Sequence, residues 1–206
     1  PGGVLASQTR VNADYRSGEH VLRAVVTLRP STAHTLEFGA ESAVNYRDTS
    51  RSVASSVCNP GCSGFTPVDL PVASTRAEEE RSEIFLTDVS RLDPQFTLEA
   101  GFIWEASTIT QTGDASQSRE FSYPKPRVIG TWTPTPQDQL RLALAREVAQ
   151  LDFGQFAANV SFIDNHLVAG NPDLRPEQAW KASAQWKRQL GSRGSVSLTG
   201  FFDKVE

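Results

Sequence analysis

The sequence predicts an all-β chain. It reads as an antiparallel up-and-down array of about nine strands, a segment of a transmembrane β-barrel wall with long loops at one end and short turns at the other. Three observations predict this. Apolar and polar residues alternate with a period of two over long runs, so each run presents one face to each of two environments. Several runs exceed the 5–6 residues usual for a globular strand and reach the roughly 9–11 that a tilted strand needs to cross a bilayer. The connections alternate in length, short then long.

Composition fits this picture. Of 206 residues, 38% are hydrophobic, and mean hydropathy is −0.35. That is a thin supply for a soluble core, but it suits a barrel whose interior is wet. The net charge of −4, from 20 basic and 24 acidic residues, lacks the basic excess of a nucleic-acid binder. No apolar run approaches the length of a membrane-spanning helix.

The elements follow in order. A first strand is expected around Leu5–Tyr15, with a tight Ser17-Gly18 connection to a second. In the second, Leu22, Ala24, Val26 and Leu28 face one way, and Arg23, Val25, Thr27 and Arg29 the other. Pro30-Ser31-Thr32 turns the chain into the clearest alternation. There His34, Leu36, Phe38, Ala40, Ser42, Val44 and Tyr46 share one face, while Thr35, Glu37, Gly39, Glu41, Ala43 and Asn45 share the other. A helix would scatter the two carboxylates among the apolar residues.

From Asp48 to Glu80 no period persists, and a long loop is expected. Cys58 and Cys62 lie in it, around Asn59-Pro60-Gly61. That turn chemistry allows a small loop disulfide in an oxidising compartment. Two thiols with no nearby His are a poor metal set. The run Glu78-Glu79-Glu80 reads as a solvated loop end.

Strands then follow at Ile84–Leu92, Phe96–Thr110 and Tyr123–Thr133. Asp93-Pro94 and Pro134-Thr135-Pro136 form short turns, and a polar loop spans Thr112–Ser118. The segments Gln139–Val148 and Ala179–Leu190 fit helix and strand about equally by propensity. Their neighbours favour strand.

Some stretches resemble a known family. The stretch Gly170-Asn171-Pro172-Asp173-Leu174-Arg175-Pro176-Glu177-Gln178 leads into an alternating run. It resembles the late barrel region of TonB-dependent outer-membrane receptors. The runs His34–Glu41, Tyr123–Arg127 with Trp132, and Arg146–Phe153 with Phe156 resemble other parts of that barrel, in the same order. The resemblance also supports strand for the two ambiguous segments. It implies a 22-stranded barrel, with an N-terminal plug domain and a TonB box that residues 1–206 do not include. The whole chain then reads as a partial barrel domain, without the plug or the C-terminal strands. The absence of Met and of a signal peptide points the same way.

The function the resemblance implies is transport. The receptor would take up a scarce nutrient of the siderophore, cobalamin or oligosaccharide class, energised by the TonB complex through the plug, with outer-membrane lipid around the barrel. The implied location is the Gram-negative outer membrane. No catalytic motif, dinucleotide or phosphate-binding loop is present, so no enzyme activity or cofactor is expected. The candidate lumen-facing charges are Arg23, Glu37, Glu41, Glu99, Glu105, Arg127, Arg141 and Lys181. Tyr46, Phe102, Trp104, Trp132, Trp180 and Trp186 fit interfacial aromatic girdles. Two other readings stay open: a passive outer-membrane barrel or surface adhesin, and a soluble β-sandwich.

Overall fold

Period-two alternation gives a single-layer antiparallel sheet whose strands follow one another around a curved wall. The computed structural model describes residues 7–58, 62, 64–70, 72–150, 153, 159–161, 166–168 and 175–206. The sheet holds nine strands. Eight form a continuous meander: β1 (Ser7–Leu28), β2 (His34–Val57), β4 (Ser74–Arg91), β5 (Phe96–Gly113), β6 (Gln117–Trp132), β7 (Asp138–Val148), β10 (Gln178–Leu190) and β11 (Gly194–Val205). The ninth, β3 (Thr66–Val68), pairs with the outer part of β2. Strands β8 (Asn159–Ser161) and β9 (His166–Val168) form a separate small hairpin.

The two faces divide by residue parity, and the division is inside-out relative to a soluble protein. The even-numbered face carries Leu22, Phe38, Ile84, Phe102, Trp104, Trp132, Leu142 and Leu198, all exposed. The odd-numbered face carries Glu79, Glu83, Glu105, Ser107 and Gln111, all buried. On β5 the apolar stripe runs from Phe96 to Ala106, then gives way to Thr108, Thr110 and Thr112. That stripe has the length of a bilayer crossing, and the strand continues past it. Trp104, Trp132 and Trp186 lie on the exposed apolar face, as girdle residues do.

The structure corrects three expectations. First, no turn interrupts residues 17–18. Strand β1 runs unbroken from Ser7, paired with β2 throughout, and Gly18 lies opposite Tyr46. A Cβ at Gly18 would meet the Tyr46 hydroxyl at 2.7 Å. The glycine is a seat for the tyrosine ring, the aromatic cover that protects a strand glycine. Gly39 repeats the device: a Cβ there would lie 2.1 Å from the Ala24 carbonyl and 2.6 Å from the Phe85 ring.

Second, the loop expected between Asp48 and Glu80 is much shorter. β2 persists to Val57 and β4 begins at Ser74, because Ser- and Thr-rich sequence pairs well in a ladder without showing a hydrophobic period. Cys58 and Cys62 are joined by a disulfide at the end of β2. Third, Glu78-Glu79-Glu80 is not a loop end but part of β4. Glu79 is buried on the odd face, while Glu78 pairs outside with Arg76 at 2.7 Å.

The ambiguous segments are strands. The Leu- and Ala-rich β7 would suit a helix alone, yet it is flanked by β6 and β10 and places Leu140, Leu142 and Leu144 outward together. Of the Gly170–Gln178 stretch, residues 170–174 lie outside the described residues. Residues 175–177 lead into β10, and the Glu177 carbonyl accepts from the Ala149 amide at 2.8 Å.

Candidate functional site: the charged concave face

Odd positions on three neighbouring strands bring the first cluster together. Glu83 on β4 and Glu105 on β5 are register partners, and Lys125 on β6 stands two residues from the Glu105 partner, Tyr123. The Lys125 ammonium donates to Glu83 at 2.7 Å and to Glu105 at 2.6 Å. The three side chains are largely buried. One ammonium between two carboxylates leaves an excess negative charge.

A second cluster lies beside it. Glu41 on β2 accepts from Arg23 on β1 at 2.9 Å and from Arg81 on β4 at 3.2 Å. The Arg23 guanidinium also lies 4.4 Å over the Phe85 ring, the ring that fills the Gly39 seat. Arg127 on β6 bonds Glu99 on β5. Farther round, Lys181 on β10 bonds Glu147 on β7 at 2.6 Å.

These groups border hollows in the wall. One, of about 320 Å³, is lined by Arg23, Glu37, Glu83, Phe85, Lys125 and Arg127, among others. Because it draws on strands from β1 to β7, the sheet must curl around it. Arg141 and Lys181 line a second hollow of about 400 Å³ farther along.

All eight sequence candidates therefore sit on odd positions of the concave side. Arg23, Glu41, Glu99, Glu105, Arg127 and Lys181 are held in ion pairs. Glu37 and Arg141 line hollows and have no ion pair among the described residues. Arg29 falls in the turn after β1. The sequence reading missed Glu83, Lys125, Glu79 and Arg81. Their signal was parity: each is an odd residue of a strand most of whose even residues are apolar or exposed. Pro124 and Pro126 obscured it around Lys125, and the Glu run obscured it in β4. Among the described residues no group of His, Cys, Asp and Glu is arranged to hold a metal.

The prolines also shape the site. Proline has no amide to donate, so it cannot complete a ladder on the side its nitrogen faces. β6 pairs β5 along its length but meets β7 only through Arg127–Trp132. Above that point Arg146 bridges the seam by donating to the Pro124 carbonyl at 3.5 Å.

A bilayer-length apolar belt outside and ion pairs inside, largely buried around Lys125, define a membrane β-barrel wall with a polar interior. The family profile described as TonB dependent receptor-like, beta-barrel, matches residues 2–206. The chain belongs to this family. It is similar in fold to the copper transporter OprC, with 14% identity and a TM-score of 0.67 over 96% of this chain and 31% of that one. It is also similar to the alcaligin outer-membrane receptor FauA from Bordetella pertussis (14%, 0.57, 97% and 30%). A third likeness is to the ferric-catecholate import receptor Fiu from E. coli K12 (11%, 0.60, 95% and 32%). The chain spans about three tenths of the length of these structures. A search of curated protein sequences returns no match.

Proposed function

We propose that this chain is barrel wall from an outer-membrane receptor that imports a scarce nutrient by TonB-dependent transport. The observation that carries the reading is the inside-out sheet: Phe102, Trp104 and Leu142 exposed on one face, Glu83, Glu105 and Glu79 buried on the other. Such a wall belongs between lipid and a polar passage. Family membership adds the energised receptor class. The location is then the outer membrane of a Gram-negative cell. The partners are its lipid, the TonB complex acting through a plug domain, and a small nutrient. No covalent chemistry is required of the concave charges.

The nutrient class stays at siderophore, cobalamin or oligosaccharide. The similar structures are a copper transporter, an alcaligin receptor and a ferric-catecholate import receptor, which supports metal chelates first. The test is growth of a strain lacking the parent gene under limitation by iron, cobalamin or a sugar. We expect a defect under one limitation, reproduced by deleting TonB. Uptake that persists without TonB would instead make the protein a passive barrel.

A further inference from the structure

The outward face of β4 changes character toward the turn end. Ile84 and Leu86 are exposed and apolar, but the next two outward positions are Asp88 and Ser90. Asp88 lies in register with Leu36 on β2 and, on its other side, with Ala100 on β5. The apolar stripe of β5 continues two outward positions farther toward the turns, through Leu98 to Phe96, which pairs with Trp132. A carboxylate therefore stands inside the lipid-facing belt, close to its turn-side border.

Asp88 does not stand alone. Its Oδ2 accepts from the Ser90 hydroxyl at 2.6 Å, and Nδ1 of His34 lies 3.1 Å from Oδ2 and 3.3 Å from Oδ1. The same nitrogen lies 3.1 Å from the hydroxyl of Ser90, its register partner across the ladder. Ser90 is buried, while the His34 and Asp88 side chains keep 46% and 30% of their surface. All these contacts meet on Nδ1, and Nε2 of His34 has no partner among the described residues. With a neutral imidazole the cluster carries an uncompensated negative charge. With an imidazolium it is neutral but holds a spare N–H donor. Neither state suits hydrocarbon, where Leu36 and Ala100 do, and an ionisable group on a lipid-facing surface marks a function.

We propose that His34, Asp88 and Ser90 form a headgroup site for an aminophospholipid of the periplasmic leaflet. Short turns mark the periplasmic end of such a barrel, and the turn at residues 29–33 directly precedes His34. The cluster thus sits where the headgroups of that leaflet meet their acyl chains. A zwitterionic headgroup complements it at both ends. The ammonium donates to the Asp88 carboxylate, and the phosphate accepts from Nε2 of a protonated His34. The acyl chains lie along Leu36, Leu86 and Leu98 on the same outward face. The site rests on the outer-membrane placement of the wall, not on transport.

The experiment uses the full-length receptor in nanodiscs with equal amounts of phosphatidylethanolamine and phosphatidylcholine of the same acyl chains. Native mass spectrometry counts the lipids that stay bound. A hydrogen bond to a charged group is worth about tenfold in affinity, so the parent should keep the ethanolamine lipid about tenfold over its trimethylated counterpart. Asp88→Asn should abolish the preference. Asp48→Asn, which alters an outward carboxylate paired with Arg76 beyond the other end of the belt, should leave it intact. A preference equal in the parent and Asp88→Asn overturns the site. So does equal loss in Asp48→Asn, which would make the preference an effect of net charge. The parent alone gives a second reading that needs no variant to fold: methylating the ammonium step by step should weaken retention step by step, and equal retention of all headgroups overturns the site. A receptor dimer that forms through this face and is lost in Asp88→Asn would seat a second copy in place of lipid and also overturn it. A receptor that inserts into bilayers without headgroup preference sinks the site alone. One that stays folded and monomeric in detergent-free buffer sinks the membrane placement beneath it.

Discussion

Lys125 shows how single residues hold this wall together. Its ammonium satisfies Glu83 and Glu105 at once. Removing it leaves two facing carboxylates with little water, and breaking a fully buried pair costs about 3–5 kcal/mol. The side chains retain some exposure, so Lys125→Ala is expected to cost about 3 kcal/mol in urea unfolding of the assembled barrel. A triple variant that also carries Glu83→Gln and Glu105→Gln should recover most of the loss. No recovery would mean that packing, not charge, holds the site. Gly39 makes the opposite case, where space is the constraint. Gly39→Ala drives a methyl into the Ala24 carbonyl and the Phe85 ring and should cost at least about 1–3 kcal/mol. Gly64→Ala, with nothing within 4 Å of the new methyl, should be nearly silent.

Asp114 operates at the level of an element. It follows β5, and its carboxylate accepts the Ala73 and Ser74 amides at 2.8 and 2.7 Å. It thus ties the start of β4 to the β5–β6 turn. These two amides hold the Asp114 carboxyl below the usual aspartate range. A depressed acid stabilises above its unfolded value, and that contribution is lost as pH falls through the folded one. The Ala73 and Ser74 amides should therefore resist hydrogen exchange at neutral pH and lose protection in acid. In Asp114→Ala they should exchange fast at every pH. Unchanged protection in that variant would rule out the tie.

The long strands and their outward residues were legible in the sequence, because Phe96, Leu98, Ala100, Phe102 and Trp104 carry a strict period of two. The join of β1 was not. Gly18 carries the local signature of a turn, and only Tyr46 across the ladder makes it a strand residue. The extensions of β2 and β4 were hidden for a related reason. Above the bilayer both faces of a strand meet water or polar loops, so no hydrophobic period marks them. The candidate site was half legible. Alternation placed Glu37, Glu41, Glu99 and Glu105 on one face, but which cation each would meet depends on cross-strand register.

For the whole molecule, the central claim is that the even face meets lipid and the odd face a polar interior. A charge on the lipid face costs about 2–4 kcal/mol at the bilayer midplane. Leu98→Arg should therefore impair membrane assembly, scored by heat-modifiable mobility, whereas Glu37→Gln should not.

The most direct measurement is a spin-label scan of β5 from Leu98 to Glu105 in the full-length receptor in bilayers. Labels at 98, 100, 102 and 104 should relax with oxygen dissolved in lipid. Labels at 99, 101, 103 and 105 should be shielded from that oxygen. A two-residue period in this phase is the expected result. The opposite phase, or no period, would contradict the account.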